Sequence, residues 1–110
     1  MDLMLDIVAK LGLKKPVDLT LKNRKAKDWD AFYQPIYSDK NGKLKSHRIV
    51  IYIEDPQRDF ATLLAHELIH AWQEEHYKQE MHGRWFQEKA EELQEEFGIE
   101  NIFLEEFDEV

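Results

Sequence analysis

His66-Glu67-Leu68-Ile69-His70 places two histidines four residues apart, with a glutamate directly after the first. A helix turns about 100° per residue, so residues four apart stand one turn above each other on the same face. Two imidazole nitrogens in that relation can converge on a single cation. The intervening glutamate can then serve a nearby water as a base without binding the ion itself. This is the HExxH logic of zinc-dependent hydrolysis. In a shuffled chain of this composition the pattern arises about 3 times in 100, so the five letters alone decide little. Their surroundings decide more: Phe60, Leu64, Leu68, Ala71 and Trp72 form an apolar stripe at helical spacing, which predicts that the motif lies on a helix.

Outward from this stretch, the chain reads as one domain over residues 1–110. Its 110 residues, 43% hydrophobic and 35% charged, suffice for one modest core and not for two. It has no cysteine, which excludes disulfides, Cys-based zinc ribbons and thiol catalysis. The opening Met-Asp-Leu-Met-Leu-Asp has no basic n-region, and no apolar run approaches membrane-spanning length. The expectation is therefore a cytoplasmic protein without a signal peptide or membrane contact.

The net charge of −8 conceals an asymmetry. Up to Arg58 there are 12 Lys+Arg against 8 Asp+Glu, and from Asp59 onward 3 against 15, so a half of +4 precedes a half of −12. The basic half offers a surface that could meet the phosphates of DNA, against the plainer reading of ordinary solvated lysines.

Leu3, Ile7, Val8 and Leu11, followed by Gly12, predict a short first helix packed on a sheet. Val17, Leu19 and Leu21 alternate with polar residues as in a half-buried strand. Ala31 to Tyr37 reads as a second strand, with Pro35 placing it at an edge, and Asp39-Lys40-Asn41-Gly42 as hairpin-turn chemistry. His47 to Ile53, with its unbroken β-branched and aromatic run, is the strongest strand and reads as buried on both faces. Asp55-Pro56 predicts the start of the HExxH helix, which runs to His76, with Asp59 as the alternative start. A last helix is predicted from Gly83 to Phe97, with Phe86, Ala90 and Leu93 inward and Glu88, Glu91, Glu92, Glu95 and Glu96 in solvent. Trp29, Phe32 and Tyr33 read as core, and His47 as a surface residue at a strand start.

A catalytic zinc needs a third protein ligand and an open position. His76, a glutamate of the last helix such as Glu88 or Glu91, and His82 compete for that role. The ligand type favours zinc, although manganese, cobalt and nickel also accept imidazole. Tyr52, Tyr77 and Arg84 are candidate donors to a developing oxyanion, and a peptide substrate is expected to lie along an exposed strand edge.

HELIHAWQ, a spacer, then HGRWFQEKAEEL resembles the SprT-like zinc metallopeptidases, in which an HExxH helix is followed by a short loop and an HG-x-x-F/W segment carrying the third histidine. The likeness runs from Leu63 to about Leu93. It implies His66, His70 and His82 as ligands of Zn2+ and Glu67 as general base; Leu63, Trp72, Trp85 and Phe86 read as core. The chain resembles a minimal protease core without a zinc ribbon. The implied fold is α+β and zincin-like: about three helices on one side of a small, mainly antiparallel three-stranded sheet, with HExxH on the central helix. The implied activity is zinc-dependent endopeptidase action on a polypeptide substrate, with DNA-associated proteins among the targets. The rival is a non-catalytic nucleic-acid or protein-binding adaptor with a structural zinc.

Overall fold

The computed structural model describes residues 2–25, 30–56, 58–78 and 82–102. Helix α1 spans Leu3–Leu11, where the Asp2 carboxylate accepts the Leu5 N–H and Gly12, at φ 68°, closes the last turn. An αL residue reverses the chain and lets the N–H groups of Gly12 and Leu13 reach the Ala9 and Val8 carbonyls, at 3.2 and 3.1 Å. Its buried face is Ile7 and Leu11. That face rests on the HExxH helix, and so the expected packing on the sheet is not what holds α1 in place.

Strands β1 (Val17–Lys22), β2 (Ala31–Tyr37) and β3 (Leu44–Tyr52) form one sheet in the order β1-β3-β2. The expectation of a mainly antiparallel sheet is corrected here. β2 and β3 are antiparallel, with Tyr33 opposite Ile49, but β1 runs parallel to β3, with Leu19 opposite Ile49. The hairpin forces its own two strands to be antiparallel. Turn chemistry says nothing about β1, which docks on the far side of β3. The hairpin loop is wider than an Asn-Gly two-residue turn: Ser38 N–H donates to the Lys43 carbonyl, and of the pair only Gly42 has positive φ. Pro35 lies on an edge strand, where a missing N–H is tolerated.

Helix α2, Phe60–Glu75, starts later than the Pro56 reading: Asp55, at φ 52°, does not have the extended conformation that an N-cap residue takes. Asp59, the alternative start, is the N-cap residue. α2 packs against α1, α3, β2 and β3. It is consequently buried on every side between Thr62 and Gln73. Helix α3, Arg84–Phe97, turns Phe86, Ala90 and Leu93 inward and leaves its five expected glutamates exposed, ending at Gly98 with φ 69°. The core between helices and sheet joins Ile7, Ile49, Ile51, Leu64, Leu68, Ile69, Phe86 and Leu93. Beyond α3 the Thr62 hydroxyl donates to the Glu100 carbonyl at 2.9 Å, and Ile102 is buried. The chain thereby returns to the first half of α2. Among the described residues no helix is long and apolar enough to cross a membrane.

Candidate metal centre

His66, Glu67 and His70 are all carried by α2 and all buried, at 0%, 1% and 6% exposure. Three polar side chains in a core require a compensating partner, because each unpaired polar group there costs about 1–3 kcal/mol. Part of the compensation is visible. The Nδ1–H of His66 donates to the Ile102 carbonyl and that of His70 to the Gln73 side-chain oxygen, both at 2.9 Å. Protonation at Nδ1 leaves each Nε2 with a lone pair, the form a metal requires.

These nitrogens converge with a third. His82, two residues before α3, brings its Nε2 to 3.1 Å from Nε2 of His66. One ligand atom from each of His66, His70 and His82 lies within 4.8 Å of the others, so the three are positioned to hold a metal ion. Two facing lone pairs repel unless a proton or cation stands between them. The fit is supported by two buried atoms with no hydrogen-bond partner among the described residues: Nε2 of His70 and Oε1 of Glu67. An unpartnered imidazole nitrogen within a convergent set of three suits a bound cation.

The electrostatics agree with that geometry. Burial first, then the neighbouring His70, pushes His66 down to about 3 against the support of the Ile102 carbonyl. Burial brings His70 down to about 4, with the Gln73 hydrogen bond opposing it and His82 adding to it. Both are therefore neutral at physiological pH and able to bind a cation. Burial pushes the Glu67 carboxyl well above its ordinary range.

Phe86 forms the floor beneath the cluster. Its ring centroid lies 4.7 Å from His66 and 5.0 Å from both His70 and His82. It is core, as expected, and also the wall that fixes the three imidazoles. Leu63 and Trp72 are buried and Trp85 half-buried.

The competing third ligands fall away. His76 is exposed, stacks on Trp72 at 4.6 Å and directs Nδ1 to the Trp72 carbonyl. Glu88 and Glu91 point into solvent. Among the expected oxyanion donors, Tyr77 is 83% exposed, and Arg84 is exposed and pairs with Glu88. Tyr52 lies under Arg24 and alternates with Ile51, hence faces the opposite side of the sheet. None of the three contributes to the histidine cluster.

His47 is the principal correction. β3 begins at Leu44, so His47 sits inside the strand, facing α2, and is 0% exposed. Its Nε2 is 2.7 Å from Glu75 Oε2 and its Nδ1 is 2.8 Å from the Tyr33 hydroxyl. Burial, then Glu74, Tyr37 and Glu75, raise the Tyr33 pKa, so that hydroxyl stays protonated and donates to Nδ1. The Tyr33 ring stacks in turn on His70, with centroids 6.5 Å apart. Sequence reading missed this relay. Tyr33 faces Ile49, two residues from His47, so the pair is a cross-strand diagonal visible only once register is known. Gln73 had a local signal, three residues after His70 on one helix face. Trp29 lies outside the described residues, and Phe32 packs beneath Arg48.

No curated protein and no solved structure matches the chain. A sequence model of the SprT-like family matches residues 26–104, which take in β2, β3, α2, His82 and α3. With more than half its length matched, and with the three histidines of the HELIH and HG segments gathered at one point, the chain belongs to the SprT-like family.

Proposed function

We propose that the chain is a zinc-dependent endopeptidase of zincin-like architecture, with His66, His70 and His82 holding the ion and Glu67 acting as general base. The observation that carries this reading is the convergence of three imidazoles within 4.8 Å, two of them on the helix that also buries Glu67 with its Oε1 unpartnered among the described residues. A zinc ion held there supplies Lewis acidity, which makes water acidic enough to ionise near neutral pH and polarises a carbonyl oxygen.

The chain's own groups do the rest. Oε1 of Glu67 takes a proton from the water that adds to the scissile carbonyl. It returns that proton to the amine nitrogen as the C–N bond breaks, giving one carboxylic acid and one amine. Low local polarity favours the first transfer, because it raises the proton affinity of the carboxylate, and the much greater basicity of the departing amine nitrogen drives the second. The Ile102 carbonyl and Gln73 hold two imidazoles in the correct tautomer, and Phe86 keeps water from entering beneath them. The polypeptide lies along the free edge of β2, adding a strand beside Tyr33.

The test pairs metal analysis of the purified protein with cleavage of an unfolded polypeptide, for wild type and Glu67→Gln. Retained metal with lost turnover in the variant supports the reading. Intact polypeptide with wild type, despite bound metal, overturns it and leaves the ion as a pin between two helices.

A further inference from the structure

At the C-terminal end of α2, beyond the cluster of His66, His70 and His82, lies a cavity of about 580 Å³ that the reaction above does not use. Its volume is that of a typical ligand site. Lys14, Lys15 and Lys43 of the hairpin line it together with Tyr37 and Tyr77. Two carboxylates also line it, but both are occupied. Glu75 accepts from His47 and from the backbone N–H groups of Lys14 and Lys15, and Glu74 accepts from the Tyr37 hydroxyl. By contrast, the three ammonium groups have no carboxylate partner among the described residues, although Lys10 and Lys25 elsewhere are paired with Glu96 and Asp55. The cavity is thus a place where internal carboxylates are satisfied and three cations are left to an incoming anion.

Its position relative to the metal centre gives the anion a context. Tyr33 stacks on His70, and Tyr37 of the same edge strand lines the cavity. Four residues of strand separate them, about 13 Å. A polypeptide paired along β2 with its scissile bond at the histidines therefore carries a residue some four positions away into the cavity.

The geometry points to this cavity as a subsite for acidic side chains of the polypeptide substrate, with Lys14, Lys15 and Lys43 as its specificity-determining residues. The assignment rests on the endopeptidase reading for its direction along β2. A single carboxylate suits the site better than a nucleic-acid backbone. The walls bring Glu74 and Glu75 close to the lysines, and two fixed negative charges oppose a continuous run of phosphates while leaving room for one or two carboxylates.

The experiment measures binding of end-labelled decapeptides to metal-loaded Glu67→Gln protein, which leaves the peptide intact. One peptide carries a glutamate pair, the second a glutamine pair, the third a lysine pair, and a ten-nucleotide oligothymidine is the competitor. The glutamate peptide is expected to bind about tenfold more tightly than the glutamine peptide, with the advantage falling at high salt. Adding Lys14→Glu, Lys15→Glu and Lys43→Glu should erase that advantage and favour the lysine peptide. These side chains are exposed, and Glu75 is held by backbone N–H groups that survive the changes; Lys43→Glu alone should lose about half of the effect on a logarithmic scale. Equal binding of glutamate and glutamine peptides, or a preference that survives the triple change, overturns the assignment. So does oligothymidine that displaces the peptide and binds more tightly than it, which gives the cavity to nucleic acid. Wild-type cleavage of both peptides at equal rates sinks the subsite and spares the endopeptidase; acid-selective binding without any cleavage does the reverse.

Discussion

The imidazole of His47 and the carboxylate of Glu75 meet at 2.7 Å in a site where the two side chains are 0% and 7% exposed, joining the middle of β3 to the last turn of α2. Glu75 also receives the N–H groups of Lys14 and Lys15, at 2.9 and 3.0 Å, so one carboxylate fastens the entry to β1, the central strand and helix α2. Burial alone would raise its pKa, but the hydrogen bonds from His47, Lys14 and Lys15 outweigh that and hold it below the ordinary carboxylate range.

Because its folded pKa is depressed, Glu75 contributes stability that is present above about pH 4.5 and lost as pH falls through the folded value. Glu75→Ala should destabilise the protein by about 2–4 kcal/mol, since it strands His47 and two backbone donors. Urea unfolding at pH 7 measures this. The wild type should also show an acid-side loss of stability below pH 4.5 larger than that of the variant; equal losses would remove Glu75 from the account.

Glu67 works in the opposite sense. Burial raises its folded pKa, so in the metal-free protein its contribution is complete below about pH 4.5 and is lost as pH climbs toward the folded value. Glu67→Gln cannot ionise. The metal-free variant should therefore have a higher Tm than metal-free wild type at pH 7–8, while the metal-loaded variant should cleave peptide about 10²–10⁴-fold more slowly than metal-loaded wild type. A lower Tm would mean that the carboxylate is stabilised by something other than the arrangement described.

His66 and His70, held near 3 and 4 instead of 6.5, bind fewer protons folded than unfolded between those limits. Metal-free protein should lose stability as pH falls below about 6.5, and His66→Ala or His70→Ala should flatten that slope. Denaturation midpoints at pH 7, 6 and 5 check it. A midpoint independent of pH over this range would contradict the burial of neutral imidazoles.

Gln73 and Phe86 hold the histidines from two directions. Gln73→Leu removes the acceptor of His70 Nδ1–H and should weaken metal binding by about 10–100-fold with little change in fold. Phe86→Ala, at a site of 0% exposure, should cost about 3–5 kcal/mol of stability as well as affinity. Competition with a chromogenic chelator reads the first effect and urea unfolding the second. Unchanged affinity in Gln73→Leu would show that His70 needs no help in choosing its tautomer.

What the chain reveals by itself is whatever depends on near neighbours. The pairing of His66 with His70 follows from helical pitch, and the boundaries of α1 and α3 from Gly12, Gly83 and Gly98, where a backbone without Cβ ends or begins a helix cheaply. The hairpin follows from its turn residues, although not the width of its loop. Each of these is settled within a few residues by torsional sterics and local hydrogen bonds.

What only the tertiary structure decided involves residues brought together from afar. The parallel placement of β1, the inward face of His47, the Ile102 carbonyl on His66, and Phe86 beneath three imidazoles all depend on packing between elements separated by many residues. His82 was one of several third-ligand candidates until the family likeness favoured it, because the sequence before it carries no periodicity from which to aim a side chain. A histidine looks the same in sequence whether it faces solvent or a buried carboxylate. The free energy that distinguishes the two is desolvation set against hydrogen bonding, and neither exists until the chain has closed around it.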